Sequence, residues 1–162
     1  ALSYNRLFCY RRFTVFDEND VAVIEMMATF VLMDRDSRKV HAVEPKIVAP
    51  YEAEFSKKLI RGPKYPELKD STSKDYHVRF YDLDMNGHVN NSKYLDWIFE
   101  VMGADFLMKY VPKKVHLKYV KEVRPGGQIT SSYDLNGLES NHQISSDGDT
   151  NAQAMVTWQE IS

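Results

Sequence analysis

Leu7 to Phe16 is dense in aromatic and β-branched residues, and a second apolar run extends from Val21 to Met33. The polar group Asp17-Glu18-Asn19-Asp20 separates them, so the pair reads as a β-hairpin. Asp34-Arg35-Asp36-Ser37 predicts another turn, and Lys39 to Val43 a third, shorter strand. Both alternating sets of the hairpin are apolar, with Val21, Val23 and Val31 set against Ala22, Ile24 and Phe30. A hairpin alone cannot bury two faces. It is therefore expected to extend another sheet or to pair with a second copy of the chain. From Arg61 to Lys74 there is no apolar period, and Gly62, Pro63, Pro66, Ser71 and Ser73 stand among charges, which predicts a linker.

Beyond the linker, Tyr76 to Asp82 alternates as a strand. The strongest helix signal runs from about Ser92 to Tyr110, where Leu95, Ile98, Met102 and Phe106 recur at spacings of three and four. Asn90, Asn91 and Ser92 stand before it as N-cap candidates. Strands are expected at Val115 to Val123, Gln128 to Leu135, Leu138 to Ser145 (a weak, polar one) and Gln153 to Ile161. Pro125-Gly126-Gly127 and Asp147-Gly148-Asp149 supply turns. A sheet wrapped on one long helix buries the helix stripe and one face of each strand, so the class is α+β. Residues 1–60 show strands only, and read as an incomplete piece; 61–74 is the linker and 75–162 the complete domain.

Composition narrows the classes. Lys+Arg 21 against Asp+Glu 23 gives a net charge of −2, which excludes a whole-protein electrostatic grip on nucleic acid or anionic lipid. A single cysteine, Cys9, excludes a disulfide framework and a Cys-rich zinc site, and fits a reducing compartment. Cys9 itself is expected to be a buried structural thiol. No apolar stretch has the length of a membrane span, since Glu25 and Thr29 interrupt Val21 to Met33, and no signal peptide is visible. A cytoplasmic location is expected, or the plastid stroma for a plant source. The histidines show no metal-ligand spacing, so neither a metal nor another cofactor is expected.

The segment Asp82-Leu83-Asp84-Met85-Asn86-Gly87-His88-Val89-Asn90-Asn91 concentrates the chemistry. In an extended chain Asp84, Asn86 and His88 share one face. Asp84 could act as base or nucleophile, His88 as proton carrier or orienter, and Asn86 could fix whichever group it bonds. Backbone N–H groups after His88 open the helix and suit an oxyanion. Against this, Asp and Asn are common in turns, and Asn90 or Asn91 could do no more than cap the helix.

The run from Tyr81 to Glu100 resembles the acyl-ACP thioesterases of plant plastids and bacteria, in its DLDMN, HVNN, KY, W and E elements. More loosely, D-x-D-x-x-G-H-V-N-N followed by Tyr94 resembles the broad hotdog thioesterases acting on acyl-CoA. His116 to Arg124, Arg11-Arg12-Phe13 and Asp34 to Lys39 extend the resemblance over most of the chain. It implies a hotdog fold, one complete and one partial, and hydrolysis of fatty acyl groups from acyl carrier protein. By the same resemblance, Asp84, Asn86 and His88 match the family's Asp-x-Asn-x-His, and Glu122 matches a glutamate that holds or activates water. Val89, Asn90, Asn91, Tyr94 and Trp97 are expected on the substrate side.

Val123 stands where plant members have a cysteine, which excludes a Cys-His-Asn mechanism there. Gly87 replaces a glutamine common in the plant proteins. Lys57, Lys58, Arg61 and Lys64 could meet an acidic carrier or simply form a solvated face. Met26, Met27, Met33 and Phe30 could line an acyl tunnel or pack a core. An activated water and direct attack by Asp84 both remain open. The alternatives are an acyl-CoA thioesterase and a non-catalytic acyl-binding hotdog. A homodimer is expected, with no nucleic acid or membrane partner.

Overall fold

A computed structural model describes residues 1–34, 36–37 and 39–161. The chain divides into two compact units, Ala1–Arg61 and the residues from Gly62 onward.

In the first unit the strands are β1 (Ser3–Tyr4), β2 (Phe8–Phe16), β3 (Ala22–Met33), β4 (Val40–His41) and β5 (Glu54–Phe55), in the order β4-β3-β2-β1-β5. The hairpin β2–β3 forms as its pattern predicts. Asp17 Oδ1 closes the turn by accepting from the backbone N–H groups of Asn19 (2.8 Å) and Val21 (2.9 Å). It lies in this unit's own sheet, between β1 and β4, and does not extend the sheet formed by the later strands. Of the turn expected at 34–39, Arg35 and Arg38 lie outside the described residues, as does Ser162. Asp34 Oδ1 accepts from both the N–H and the hydroxyl of Ser37.

The unit is not made of strands alone. Pro45 opens a short helix, α1 (Pro45–Val48), its fixed φ suiting a first helical position, and Val48 is buried. Four residues cannot cover the hairpin. Met26, Met27, Phe30 and Met33 are accordingly exposed rather than packed in a core, as are Phe13, Phe16 and Ile24. Cys9, expected to be buried, is half-buried and free. Tyr10 is the buried anchor: its hydroxyl accepts from the backbone N–H of Ile60 at 3.2 Å and from Asn5 Nδ2 at 3.3 Å.

In the second unit β6 (Thr72–His77), β7 (Tyr110–Tyr119), β8 (Gln128–Asn136), β9 (Glu139–Ser146) and β10 (Asp149–Glu160) form an antiparallel sheet in the order β6-β8-β9-β10-β7. Helix α2 (Asn91–Glu100) packs on β8 and β9. Ser131 on β8 donates its hydroxyl to the Trp97 carbonyl at 2.9 Å, tying helix to sheet. Tyr94, Trp97, Ile98, Val101 and Met102 are buried, together with Ile129, Ile144, Ala154, Val156 and Trp158.

Three boundaries differ from the hydrophobic pattern, each for a physical reason. The long helix stops at Glu100, because Gly103 adopts φ 82° and breaks it before a short α3 (Ala104–Leu107). The buried stripe is therefore centred on Tyr94, Trp97, Ile98 and Val101, while Leu95 and Phe106 are only half-buried. Strand β7 begins at Tyr110, expected as the last helical residue and five positions before the expected strand start at Val115, and leaves its ladder after Tyr119, short of the Val123 expected. The segment 72–74, expected in the linker, starts β6: Thr72, Ser73 and Lys74 pair with Tyr133, Ser132 and Ser131. That edge strand carries no apolar period because both of its alternating sets meet solvent, only Tyr76 being half-buried. The strand expected at 76–82 ends at His77, and Phe80–Asp82 form a 3₁₀ turn.

Candidate active site

The loop between β6 and α2 is built on Asp82. Its carboxylate accepts from the Arg79 backbone N–H at 2.7 Å and from the guanidinium at 3.2 and 3.4 Å. Burial pushes the Asp82 carboxyl up, but the hydrogen bonds and charge of Arg79 outweigh it and hold the group below the usual carboxylate range. The Asp82 carbonyl accepts from the N–H of Asn90 at 2.8 Å, and a bridge between Leu83 and Val89 closes the loop. Within it, Asp84 Oδ1 accepts from the backbone N–H groups of Asn86 (2.8 Å) and His88 (3.0 Å). The Asp84 N–H donates to the His88 carbonyl at 2.7 Å. Gly87 takes φ 76° to complete the turn. The His88 N–H, above all, holds the Asp84 carboxyl below its ordinary value despite some desolvation.

His88 is thus held by its backbone with its imidazole half-exposed. Glu122 follows β7 on a separate segment rather than on an edge strand, and its Oε2 lies 4.0 Å from His88 Nε2. That separation exceeds a direct hydrogen bond and suits one shared water or one substrate oxygen. Glu122 also borders an open cavity of about 270 Å³ lined by Lys121, Arg124 and Asp149, with Lys121 and Asp149 ion-paired.

The remaining expected residues separate by position. Asn86 is exposed at the loop tip. Asn90 caps α2, its Oδ1 accepting from the N–H and hydroxyl of Ser92, both at 3.0 Å. Asn91 is exposed on the first turn, and its carbonyl accepts from Tyr119 Oη at 3.1 Å. Val89, Tyr94 and Trp97, expected on the substrate side, are core residues no more than 6 % exposed. Apolar helix-face spacing favours burial for Tyr94 and Trp97. Tyr94 Oη accepts from the Val123 N–H at 3.3 Å, and so touches the segment that carries Glu122. The anchoring by Arg79 and Asp82 was missed at the sequence level, although an acid three residues after a cation is a readable turn signal. Among the described residues no group of three or more metal-ligating side chains clusters, and no helix is long and apolar enough to cross a membrane.

A sheet of this order with a helix packed across it is the hotdog fold, and solved thioesterase structures share it. A provisionally assigned oleoyl thioesterase from Lactobacillus plantarum superposes with TM-score 0.92 at 30 % identity, over 99 % of this chain and 66 % of that one. The 12:0-ACP thioesterase of Umbellularia californica superposes with TM-score 0.80 at 20 % identity, over 96 % of this chain and 64 % of its own. Residues 65–160 match the family profile of the acyl-ACP thioesterase C-terminal domain, and residues 1–51 that of the N-terminal domain. The chain belongs to the acyl-ACP thioesterase family. A curated relative, the chloroplastic oleoyl-acyl carrier protein thioesterase 2 of Arabidopsis thaliana, is 29 % identical over 116 residues, 63 % of this chain and 31 % of that protein. The chain therefore spans about a third of that relative's length.

Proposed function

We propose that this chain hydrolyses the thioester joining a fatty acyl group to the phosphopantetheine arm of acyl carrier protein. The observation that carries the reading is the approach of His88 and Glu122 at 4.0 Å beside the start of α2, in a chain of this family. A water between them gives a proton to Glu122 as its oxygen attacks the carbonyl carbon. The Asn91 N–H at the positive end of α2 stabilises the oxyanion, the N–H groups of Ser92 and Lys93 being taken by Asn90. Collapse breaks the C–S bond, the proton passes from Glu122 to the departing thiolate by way of His88, and the fatty acid leaves as product. The water route is favoured over attack by Asp84, because Asp84 Oδ1 already accepts two backbone N–H groups and its carboxyl is held low. Both weaken it as nucleophile and base. Asp84 holds the His88 loop instead, with Asn86 at its tip facing the entering thioester.

The unit from Gly62 onward is read as one hotdog and Ala1–Arg61 as part of a second. The exposed cations Lys57, Lys58, Arg61 and Lys64 suit the acidic carrier, and the apolar hairpin suits a homodimer. The location is read as cytoplasmic, or as the plastid stroma for a plant source, the second alternative being the one that the chloroplastic relatives support. The test is release of free fatty acid from a panel of acyl-ACP and acyl-CoA substrates. Acyl-ACP is expected to be cleaved faster, with kcat falling about 100-fold or more in Glu122→Gln. No turnover of any substrate by the unmodified chain would overturn the reading, and faster cleavage of acyl-CoA would move the substrate class.

A further inference from the structure

Glu122 sits on no regular element, so its position must be fixed from outside β7. The neighbour is β10. Along that strand Trp158, Val156, Ala154 and Ala152 alternate inward, but the next buried residue is Asn151, one position out of phase. The pairing with β9 slips between Thr150 and Ala152, which makes Asn151 the extra residue of a β-bulge. A bulge turns one side chain away from the two-residue period.

Asn151 is 1 % exposed, and its carbonyl and both side-chain polar atoms are hydrogen-bonded. Its carbonyl accepts from the backbone N–H groups of Val120 (2.8 Å) and Lys121 (3.1 Å). Its side-chain Nδ2 donates to the carbonyls of Lys121 (3.3 Å) and Glu122 (3.4 Å). Its Oδ1 accepts from the Ser146 hydroxyl at 2.8 Å, which sets the direction in which the amide faces. On the far side of Glu122, the Val123 N–H is held by Tyr94 Oη.

We propose that Asn151 is a positioning residue for Glu122: the bulge in β10 lets a buried amide grip the segment that has left the ladder and so holds the carboxylate opposite His88. The inference rests on the reading of Glu122 as the group that activates water, and extends it to a side chain that touches no reacting atom. A displacement of about 1 Å between reacting groups lowers a rate by about 100-fold.

The experiment is a double-mutant cycle on the full chain with acyl-ACP, measuring kcat and KM for Asn151→Ala, Glu122→Gln and the pair. Asn151→Ala is expected to lower kcat about tenfold or more with KM changed less than about twofold, and to add no further loss in the Glu122→Gln background. Asn151→Asp keeps the acceptor for Ser146 but loses both donated bonds, so it should match Asn151→Ala. Multiplying losses, or an unchanged kcat, would overturn the proposal. Should Asn151→Ala fail to fold, Ser146→Ala tests the same grip by freeing the amide to turn. The His88 imidazole resonances give a readout independent of turnover. Asn151→Ala should move them when Glu122 is present and leave them in place in Glu122→Gln; equal movement in both, or none, would overturn positioning. A folded chain without turnover but with this dependent shift would sink the thioesterase reading and keep the positioning one.

Discussion

Asp84 shows how a side chain can be recognised in sequence while its work is legible only in three dimensions. That Asp84, Asn86 and His88 stand in one polar segment was readable, but the segment is a tight turn rather than the extended chain that alternation assumes, and Asp84 Oδ1 is occupied by two N–H groups of its own loop. An asparagine at 84 offers the same acceptor, so Asp84→Asn should retain at least about tenfold more kcat than Asp84→Ala. Equal losses in the two variants would show that the negative charge itself is used in the reaction. His142 was singled out by no pattern, since a histidine in a polar run reads as surface. It is buried, its Nε2 lies 2.7 Å from Ser140 Oγ, and Ser140 in turn accepts from Trp158 Nε1 at 2.8 Å. Burial lowers its pKa from 6.5 to about 4, partly countered by Asp134. The folded value lies below the unfolded one, so protonation favours unfolding. The contribution is complete above pH 6.5 and is lost as pH falls from 6.5 toward about 4, up to about 3 kcal/mol. Urea melts across that window should show the slope in the wild type and a flatter one in His142→Gln. The carboxyls of Asp82 and Asp84, held below 3.8, act at lower pH.

At the scale of elements, the hairpin β2–β3 and the strands β8 to β10 followed from alternation and turn residues, and α2 from its apolar spacing. Errors gathered where tertiary contacts override local pattern. The apolar period through Met102 and Phe106 continues past Gly103, so periodicity alone carries the helix on to Tyr110. Backbone conformation ends it instead. Gly103 has φ 82° and ψ 155°, a region almost reserved for glycine, and an added Cβ would meet nothing within 4 Å, so Gly103→Ala should cost about 1–3 kcal/mol through backbone strain alone. A thermal melt unchanged by that substitution would show that the break has another cause. The bulge at Asn151 left only a faint trace, one polar residue out of phase with Ala152 and Ala154. A single displaced residue in a polar stretch cannot be told from ordinary loop composition.

For the whole molecule, a sheet apolar on both faces reads the same in sequence whether a helix, another strand or a second chain covers it. The pattern therefore specified the hairpin without specifying its cover. Phe16, Val23, Ile24 and Met26 are each more than half exposed. Light scattering on the chain should find a dimer or larger species, and Ile24→Lys should shift it toward monomer. A strictly monomeric wild type would show that this surface needs no partner. The loop before α2 has a consequence of another kind, for how long the molecule endures. In a flexible chain an Asn-Gly pair ages: the glycine nitrogen attacks the asparagine amide carbon, ammonia leaves, and the cyclic imide reopens to aspartate or its isomer. Asn86 and Gly87 form such a pair at an exposed tip. Here the Gly87 N–H is engaged at 3.0 Å with the Asp84 carbonyl, so that nitrogen is turned away from the attack. The turn that presents His88 thereby also slows the chemical clock on the asparagine beside it.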